Sequence, residues 1–322
     1  MHKIFNKLKF IIIPLAILTA LYFSSFISYK LFHILIEFFT IFITLIIYII
    51  VWNSRNLSVS GYLSLIGIVF FFIGCLEFLH FITYRDLNIL PLGPGDSSVR
   101  FTVASRFFYC FSLIAISFLV NKKVQLSVFL IIAGSVFSFL VISIFTGFFP
   151  VCYIPGKGTT LFMKVSRYLT AFFFLVSIYL FYKKRELIDK SFYKFYTVSL
   201  VFIVISELSF SFYRFTSDYI NMISHFFKFL SYYWLYRAII ENSFKKPFYL
   251  IFDSLTRAEN RYRVLFESSF DAVFIFQPEK GKNKSFIDVN DAACKMFQYS
   301  REELLKLTPY NIDTHPSSDI DS

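Results

Sequence analysis

Ionisable side chains stand inside long apolar stretches of this 322-residue sequence, where lipid or a protein core would surround them. An ionisable group at membrane depth is costly, so each is expected to face a helix-bundle interior or a water-filled cavity. Carboxylates, imidazoles and cations placed together can bind a small ligand, or they can form a structural ion-pair network between helices. The candidates for a ligand pocket are Glu37, Glu77, His80, Arg106, Lys164, Glu207, His225 and Lys228.

The densest group lies in residues 206–240, where two apolar helical runs flank a polar turn near Asp218. With about 1.5 Å of rise per residue, Glu207 and His225 differ by roughly 6 Å in depth on adjacent antiparallel helices. We therefore expect these two side chains to interact directly or through water.

The composition is that of an integral membrane protein with a soluble appendix. The chain is 57% hydrophobic and 22% aromatic, and only 16% of its residues are charged, against about 25% in a soluble domain. The net charge of +11 lies in short clusters between apolar runs. This distribution sets membrane topology and argues against nucleic-acid binding.

Eight apolar stretches approach the roughly 20 residues that cross a bilayer. They cover about 10–29, 32–52, 61–82, 101–120, 124–149, 164–182, 195–214 and 221–240. The first could be a signal peptide, but no small-residue cleavage site closes it, so a retained helix is favoured. With the amino terminus inside, the inner loops hold 11 Lys and Arg and the outer loops hold 4. This bias predicts that both termini are cytoplasmic.

The polar residues fall in the outer halves of these helices, and the inner halves are almost wholly apolar. This asymmetry predicts a polar pocket that opens outward. Glycine- and proline-rich outer loops around Pro91–Gly95 and Pro150–Gly158 could cap it. Lys164, Arg167 and Arg214 lie near the interface, where simple anchoring by snorkelling is the favoured interpretation.

Metal and cofactor sites are weakly indicated. Glu77 and His80 form one ExxH, but di-iron bundles need two, so we expect no metal site. His80 and His225, with His33, could ligate haem, although their spacing does not require it. The four cysteines show neither a CxxC motif nor a disulfide framework, and no cofactor is expected.

Several sequence blocks occur in an order that resembles a known family. They are LEFLHFITY (76–84), ASRFF with Arg106, PVCYIPGKGTTLFMK (150–164), SELSFSFY (206–213) and NMISHFFKFLSYYWLYRAI (221–239). Over residues 30–250 the chain resembles the third type of bacterial membrane-associated sensor domain. The resemblance implies an input module in the bacterial inner membrane, joined to histidine kinase, diguanylate cyclase or related output domains. This chain has Glu77 where the family usually has aspartate, and Ser224 where the family usually has glycine. No ligand is therefore inferred for this chain from the family.

The long apolar stretches end after Ile240, and an amphipathic sequence follows. Ile251, Leu255, Ala258, Tyr262 and Leu265 repeat at coiled-coil spacing, although an ordinary amphipathic helix would also fit. Residues from 267 onward resemble the first half of a PAS domain, including the VNDAA segment at 289–293. The sequence ends before the remaining strands of such a sheet, which indicates a fragment or an incomplete domain.

The fold class predicted is therefore an all-α membrane bundle of about eight helices, followed by a partial α+β PAS domain. We expect a sensor at 1–244, a signalling helix at 245–266 and the PAS region at 267–322. No phosphate loop, kinase glycine box, GGDEF signature or nucleophile elbow is present, so this chain is not expected to be an enzyme.

The function predicted is sensory input, in which a small or lipid-soluble ligand changes the helix packing and a homodimer relays the change through the PAS domain. The alternative is a membrane transporter or haem/redox protein that uses the buried Glu and His residues. The apolar inner halves offer no polar route across the membrane, which argues against transport.

The topology can be tested by cysteine accessibility in a variant without the four native cysteines. A cysteine at Lys157 should react with an impermeant reagent from outside, and one at Leu187 only after permeabilisation, because the basic bias places them on opposite sides. Reversed labelling would contradict the predicted orientation.

Overall fold

The computed structural model describes residues 2–55, 61–84, 87, 89, 96–212, 219–276 and 285–312. The chain divides into two compact units, residues 1–247 and 248–322. Some positions used above lie outside the described residues. These are the loop at 91–95, Arg214 and Asp218.

The described part of the first unit contains eight long helices, which confirms the all-α membrane bundle. They are α1 (His2–Ile27), α2 (Tyr29–Ser54), α3 (Gly61–Ile82), α4 (Ser97–Leu119), α5 (Leu126–Phe145), α6 (Leu161–Lys183), α7 (Lys190–Phe210) and α8 (Tyr219–Ile239). Six of them, α2 to α7, are long and apolar enough to cross a membrane, and α1 contains the shorter apolar stretch Ile12–Ile27. α8 is as long as α7, but its polar face makes it less apolar than these six.

Helices α7 and α8 form an antiparallel pair held by serines. The Ser206 hydroxyl donates to the Ser224 carbonyl at 2.8 Å, and the Ser199 hydroxyl donates to the Ser231 carbonyl at 2.7 Å. As the residue number rises on one helix it falls on the other, which fixes the antiparallel register. Small polar residues let two helix backbones approach closely in an apolar setting.

Helices α2 and α3 also approach closely, at two glycines. A Cβ added to Gly67 would lie 2.6 Å from Val51 Cγ1, and one added to Gly74 would lie 2.8 Å from Thr44 Oγ1. The two glycines are two helical turns apart and therefore face α2 together. This contact sets the spacing of the helices that carry Glu37 and Glu77.

A polar contact joins the start of α4 to the loop before α6. This loop contains the short antiparallel strands β1 (Tyr153–Ile154) and β2 (Gly158–Thr159). Asp96 accepts hydrogen bonds from Arg100 Nε and from the Cys152 amide, both at 2.7 Å. Burial, with Asp96 nearby, raises the pKa of the Cys152 thiol to about 12, so this cysteine stays protonated near neutral pH.

The second unit contains α9 (Lys246–Glu267), the antiparallel strands β3 (Phe274–Phe276) and β4 (Phe286–Val289), α10 (Asp291–Phe297), α11 (Arg301–Leu304) and α12 (Pro309–Ile312). Its polar centre is Asn290, whose side-chain oxygen accepts from the Val273 and Ala293 amides. The Asn290 amide group donates to the carbonyls of Phe266 and Asp271 at 3.0 and 2.9 Å. One buried side chain therefore ties the end of α9 to the strands and to α10.

The close contact between α2 and α3 yields a stability prediction. Gly67→Ala should destabilise the bundle by about 1–3 kcal/mol, because the branched Val51 side chain cannot move out of the way. Gly61→Ala is the matched control in the same helix, since nothing lies within 4 Å of its added Cβ. Thermal unfolding in detergent measures both variants. Equal melting temperatures for the two would contradict the close packing at Gly67.

Candidate functional site

Six oppositely charged side chains form a continuous chain through the interior of the bundle. In order of contact they are Glu37, Lys228, Glu77, Arg106, Glu207 and Arg167, which we call the buried charge chain. Each is at most 2% exposed. Negative and positive groups alternate along it, three of each sign, so its formal charge is zero.

Lys228 on α8 joins α2 to α3. Its ammonium group lies 2.7 and 2.9 Å from the two carboxylate oxygens of Glu37, and 2.8 Å from Oε2 of Glu77. A lysine ammonium group has three hydrogen-bond donors, and all three are used here. The one cation therefore holds two carboxylates that would otherwise repel each other.

Arg106 on α4 continues the chain toward α7 and α6. Its Nη1 donates to Glu77 Oε1 at 3.0 Å, and its Nε lies 2.9 Å from Glu207 Oε1 without alignment for a hydrogen bond. The other oxygen of Glu207 accepts from Arg167 Nη1 on α6 at 2.7 Å.

Neutral hydroxyl groups surround the carboxylates. Tyr232, one turn beyond Lys228 on α8, accepts from Arg106 Nη1 at 2.7 Å. Ser105 donates to Glu77 at 3.0 Å and Thr170 donates to Glu207 at 3.2 Å. These last two hydroxyls each add a second hydrogen bond to a carboxylate oxygen that already accepts from an arginine, Glu77 Oε1 or Glu207 Oε2, as a buried ion pair requires.

Three histidines gather at the Glu37 end of the buried charge chain. His225 Nδ1 lies 3.1 Å and His80 Nε2 lies 3.8 Å from the same oxygen, Glu37 Oε1. The His33 ring centroid is 5.1 Å from that of His225 and 5.6 Å from that of His80. His33 also stacks on Tyr84 at 4.3 Å.

The structure brings together seven of the eight residues proposed from the sequence. The exception is Lys164, whose side chain is exposed on α6. The other seven are buried and paired with one another, an arrangement closer to the ion-pair network than to open pocket walls. Each lies in the half of its helix that the sequence assigned to the outer side, so these halves meet at one level.

Two details of the sequence interpretation need correction. Glu207 and His225 do not pair directly: Ser206 packs against Ser224, and the next residue, Glu207, is rotated about 100° toward α4 and α6. Arg167 is not an interfacial anchor, since it is 2% exposed and bonded to Glu207. Ser166, Thr170 and Ser177 accompany it at helical spacing, and this polar stripe was the signal that α6 turns Arg167 inward.

A comparison with known families agrees with these features. A family model described as a membrane-associated sensor domain matches residues 24–247, and a PAS domain model matches residues 260–321. No curated protein and no solved structure matches the chain. Both resemblances inferred from the sequence blocks are confirmed, and neither matched family is catalytic.

The end of the buried charge chain provides a stability test. Arg167→Gln should lower the free energy of unfolding by roughly 3 kcal/mol, because Glu207 then keeps only Arg106 as a cationic partner. Lys164→Gln, on the same helix but exposed, should change it little. Denaturation in detergent gives both values.

The double variant Arg167→Gln, Glu207→Gln removes both charges and serves as the second control. Its loss should be smaller than the sum of the two single losses, because the pair is coupled. Strict additivity would show that the Arg167–Glu207 contact carries no net energy.

Proposed function

Since the chain belongs to the membrane-associated sensor domain family, we propose that its buried charge chain is the input element of a ligand-responsive sensor. The sensor and PAS domains together make this a membrane sensory input module in signalling, and a multi-pass membrane protein. The proposal adds the site of input and the route out of the bundle. The ligand acts at the histidine end of the chain and shifts the bundle between two packings.

The observation that carries this proposal is the position of Lys228. It lies on α8 and bonds to carboxylates on two other helices, α2 and α3. His225 and Tyr232 share its face of α8, at helical spacings of three and four residues. Any change in these contacts therefore acts on α8 directly.

α8 is also the helix from which the chain leaves the bundle. It continues without a break into a π-helical segment, Ile240–Lys245, and then into α9. π-Helical turns often mark functional positions, because their wider hydrogen-bond spacing allows local changes of register. A rotation or shift of α8 would pass along this path.

Within the second unit, α9 ends at the polar centre of the PAS region. Asn290 bonds to the Phe266 carbonyl, and Glu267 accepts from the Asp291 amide at 2.9 Å and from Arg301 at 2.9 Å. A displacement of the end of α9 would thus reach β4, α10 and α11. We propose that a homodimer formed through α9 and the PAS region relays the signal to a histidine kinase or diguanylate cyclase output, with both termini cytoplasmic.

The proposal is tested by fusing residues 1–322 to a diguanylate cyclase reporter and measuring its output in membranes. Lys228→Met should change the output severalfold, because α8 loses its bonds to Glu37 and Glu77 and the balance of packings shifts. Lys228→Arg, which keeps the charge with a different shape, should give an intermediate effect.

Lys164→Met is the matched control, since it removes an exposed lysine from the same bundle and should leave the output unchanged. Membrane insertion and folded yield are measured for every variant. If Lys228→Met and Lys228→Arg both fold and both signal as the unaltered fusion does, the buried charge chain is structural and the proposal fails.

A further inference from the structure

The histidine end of the buried charge chain, formed by His33, His80 and His225 beside Glu37, has imidazole nitrogens that take part in no hydrogen bond among the described residues. His33 and Glu37 lie four residues apart on one face of α2, and His225 faces them from α8. One ligand atom from each of these three residues lies within 4.8 Å of the others. His33 and His225 are 3% and 4% exposed.

Three ring nitrogens of this cluster make no aligned hydrogen bond to the described residues: His33 Nδ1, His80 Nε2 and His225 Nδ1. The last of them lies 3.1 Å from Glu37 Oε1, as an ion-pair contact only. Buried polar atoms are nearly always bonded, so three such nitrogens in one cluster call for a specific explanation. A bound group that accepts an electron pair from each of these nitrogens would provide that explanation.

The fourth residue, His80, has the second contact that metal-binding histidines usually show. Its Nδ1 lies 2.8 Å from the Ser98 carbonyl oxygen and 2.8 Å from the Ser98 hydroxyl. A proton held on Nδ1 by the carbonyl leaves the lone pair on Nε2, which points toward Glu37. This arrangement orients the ring for coordination.

We propose that His33, Glu37 and His225 bind a transition-metal ion of the imidazole-preferring class, such as Zn²⁺, with His80 as the fourth ligand. Imidazole nitrogens with one carboxylate oxygen are a donor set that suits this class, whereas Mg²⁺ and Ca²⁺ require mainly oxygen ligands. The inference deepens the proposed function, on which it rests for its role in signalling, by naming the ligand class at the histidine end.

Metal binding requires a small contraction of the cluster. Two ligand atoms on a tetrahedral Zn²⁺ ion are roughly 3.3 Å apart, given bond lengths of about 2.0–2.1 Å. The ligand atoms, now within 4.8 Å of one another, would have to move to that separation. The contraction draws Glu37 toward the ion and away from Lys228, which keeps its 2.8 Å contact with Glu77. Metal binding would thereby replace the Lys228–Glu37 ion pair by coordination bonds that join the same two helices, α2 and α8.

The test measures metal binding directly, so its failure is distinguishable from a failure of the signalling test. The full chain is purified in detergent, stripped with a chelator and titrated with Zn²⁺ against a chromogenic competitor. One Zn²⁺ per chain is expected. His33→Ala and His225→Ala should each weaken binding by at least about 100-fold, since loss of a residue that only hydrogen-bonds to a metal ligand already costs about 10–100-fold. Ca²⁺ and Mg²⁺ should not compete.

The control variant is His2→Ala, His315→Ala, which removes two histidines from elsewhere in the sequence and should bind as the unaltered chain does. Thermal unfolding without metal identifies any variant that fails to fold. If a variant does not fold, the visible absorption spectrum of Co²⁺ bound to the unaltered chain tests the site instead. Tetrahedral Co²⁺ with nitrogen ligands has intense visible bands, and octahedral Co²⁺ has weak ones. Three results would each overturn the proposal. They are a Zn²⁺ titration that shows no saturable site, an octahedral Co²⁺ spectrum, and Zn²⁺ affinities of folded His33→Ala and His225→Ala that equal that of the unaltered chain.

Discussion

The pairing of Lys228 with Glu37 and Glu77 is the interaction on which the rest of the bundle depends. Moving an unpaired charge out of water costs several kcal/mol even after relaxation, so each of these groups is tolerable only beside its partners. Satisfying them forces α2, α3 and α8 to meet at one level. Arg106 and Arg167 extend the same requirement to α4, α6 and α7. The alternation of charge thus specifies which helices are neighbours, a task that apolar side chains in lipid perform poorly.

The energy scale of such a network suits a switch. Breaking one buried pair costs roughly 3–5 kcal/mol, and moving a two-state equilibrium from 1:99 to 99:1 requires about 5.5 kcal/mol. A ligand that exchanges one ion pair for its own bonds therefore supplies energy of the right order. A bundle joined only by apolar contacts would lack a discrete contact of this size for a ligand to replace.

The sequence predicted the helices and most of the buried polar residues, because hydropathy and the cost of charges in lipid are local properties. The partners are not local. Whether Glu207 faces His225 or Arg167 depends on how α7 is rotated against α8, and that rotation is set by the Ser206–Ser224 contact. His33 was considered only as a haem ligand, since its proximity to His225 arises from the packing of helices almost two hundred residues apart in the chain.

The two ends of the buried charge chain differ, and the difference indicates where input enters. At the Arg167 end Glu207 is held between two guanidinium groups, with a hydrogen bond from Arg167 at 2.7 Å and an ion-pair contact to Arg106 at 2.9 Å. At the Glu37 end the chain terminates in three imidazoles, of which His225 Nδ1 lies 3.1 Å and His80 Nε2 lies 3.8 Å from Glu37 Oε1. Imidazole is the group that most readily exchanges protons and metal ions. A change in the contacts of Glu37 therefore alters the bonds that join α8 to α2, and by linkage a shift of α8 alters the histidine end in return.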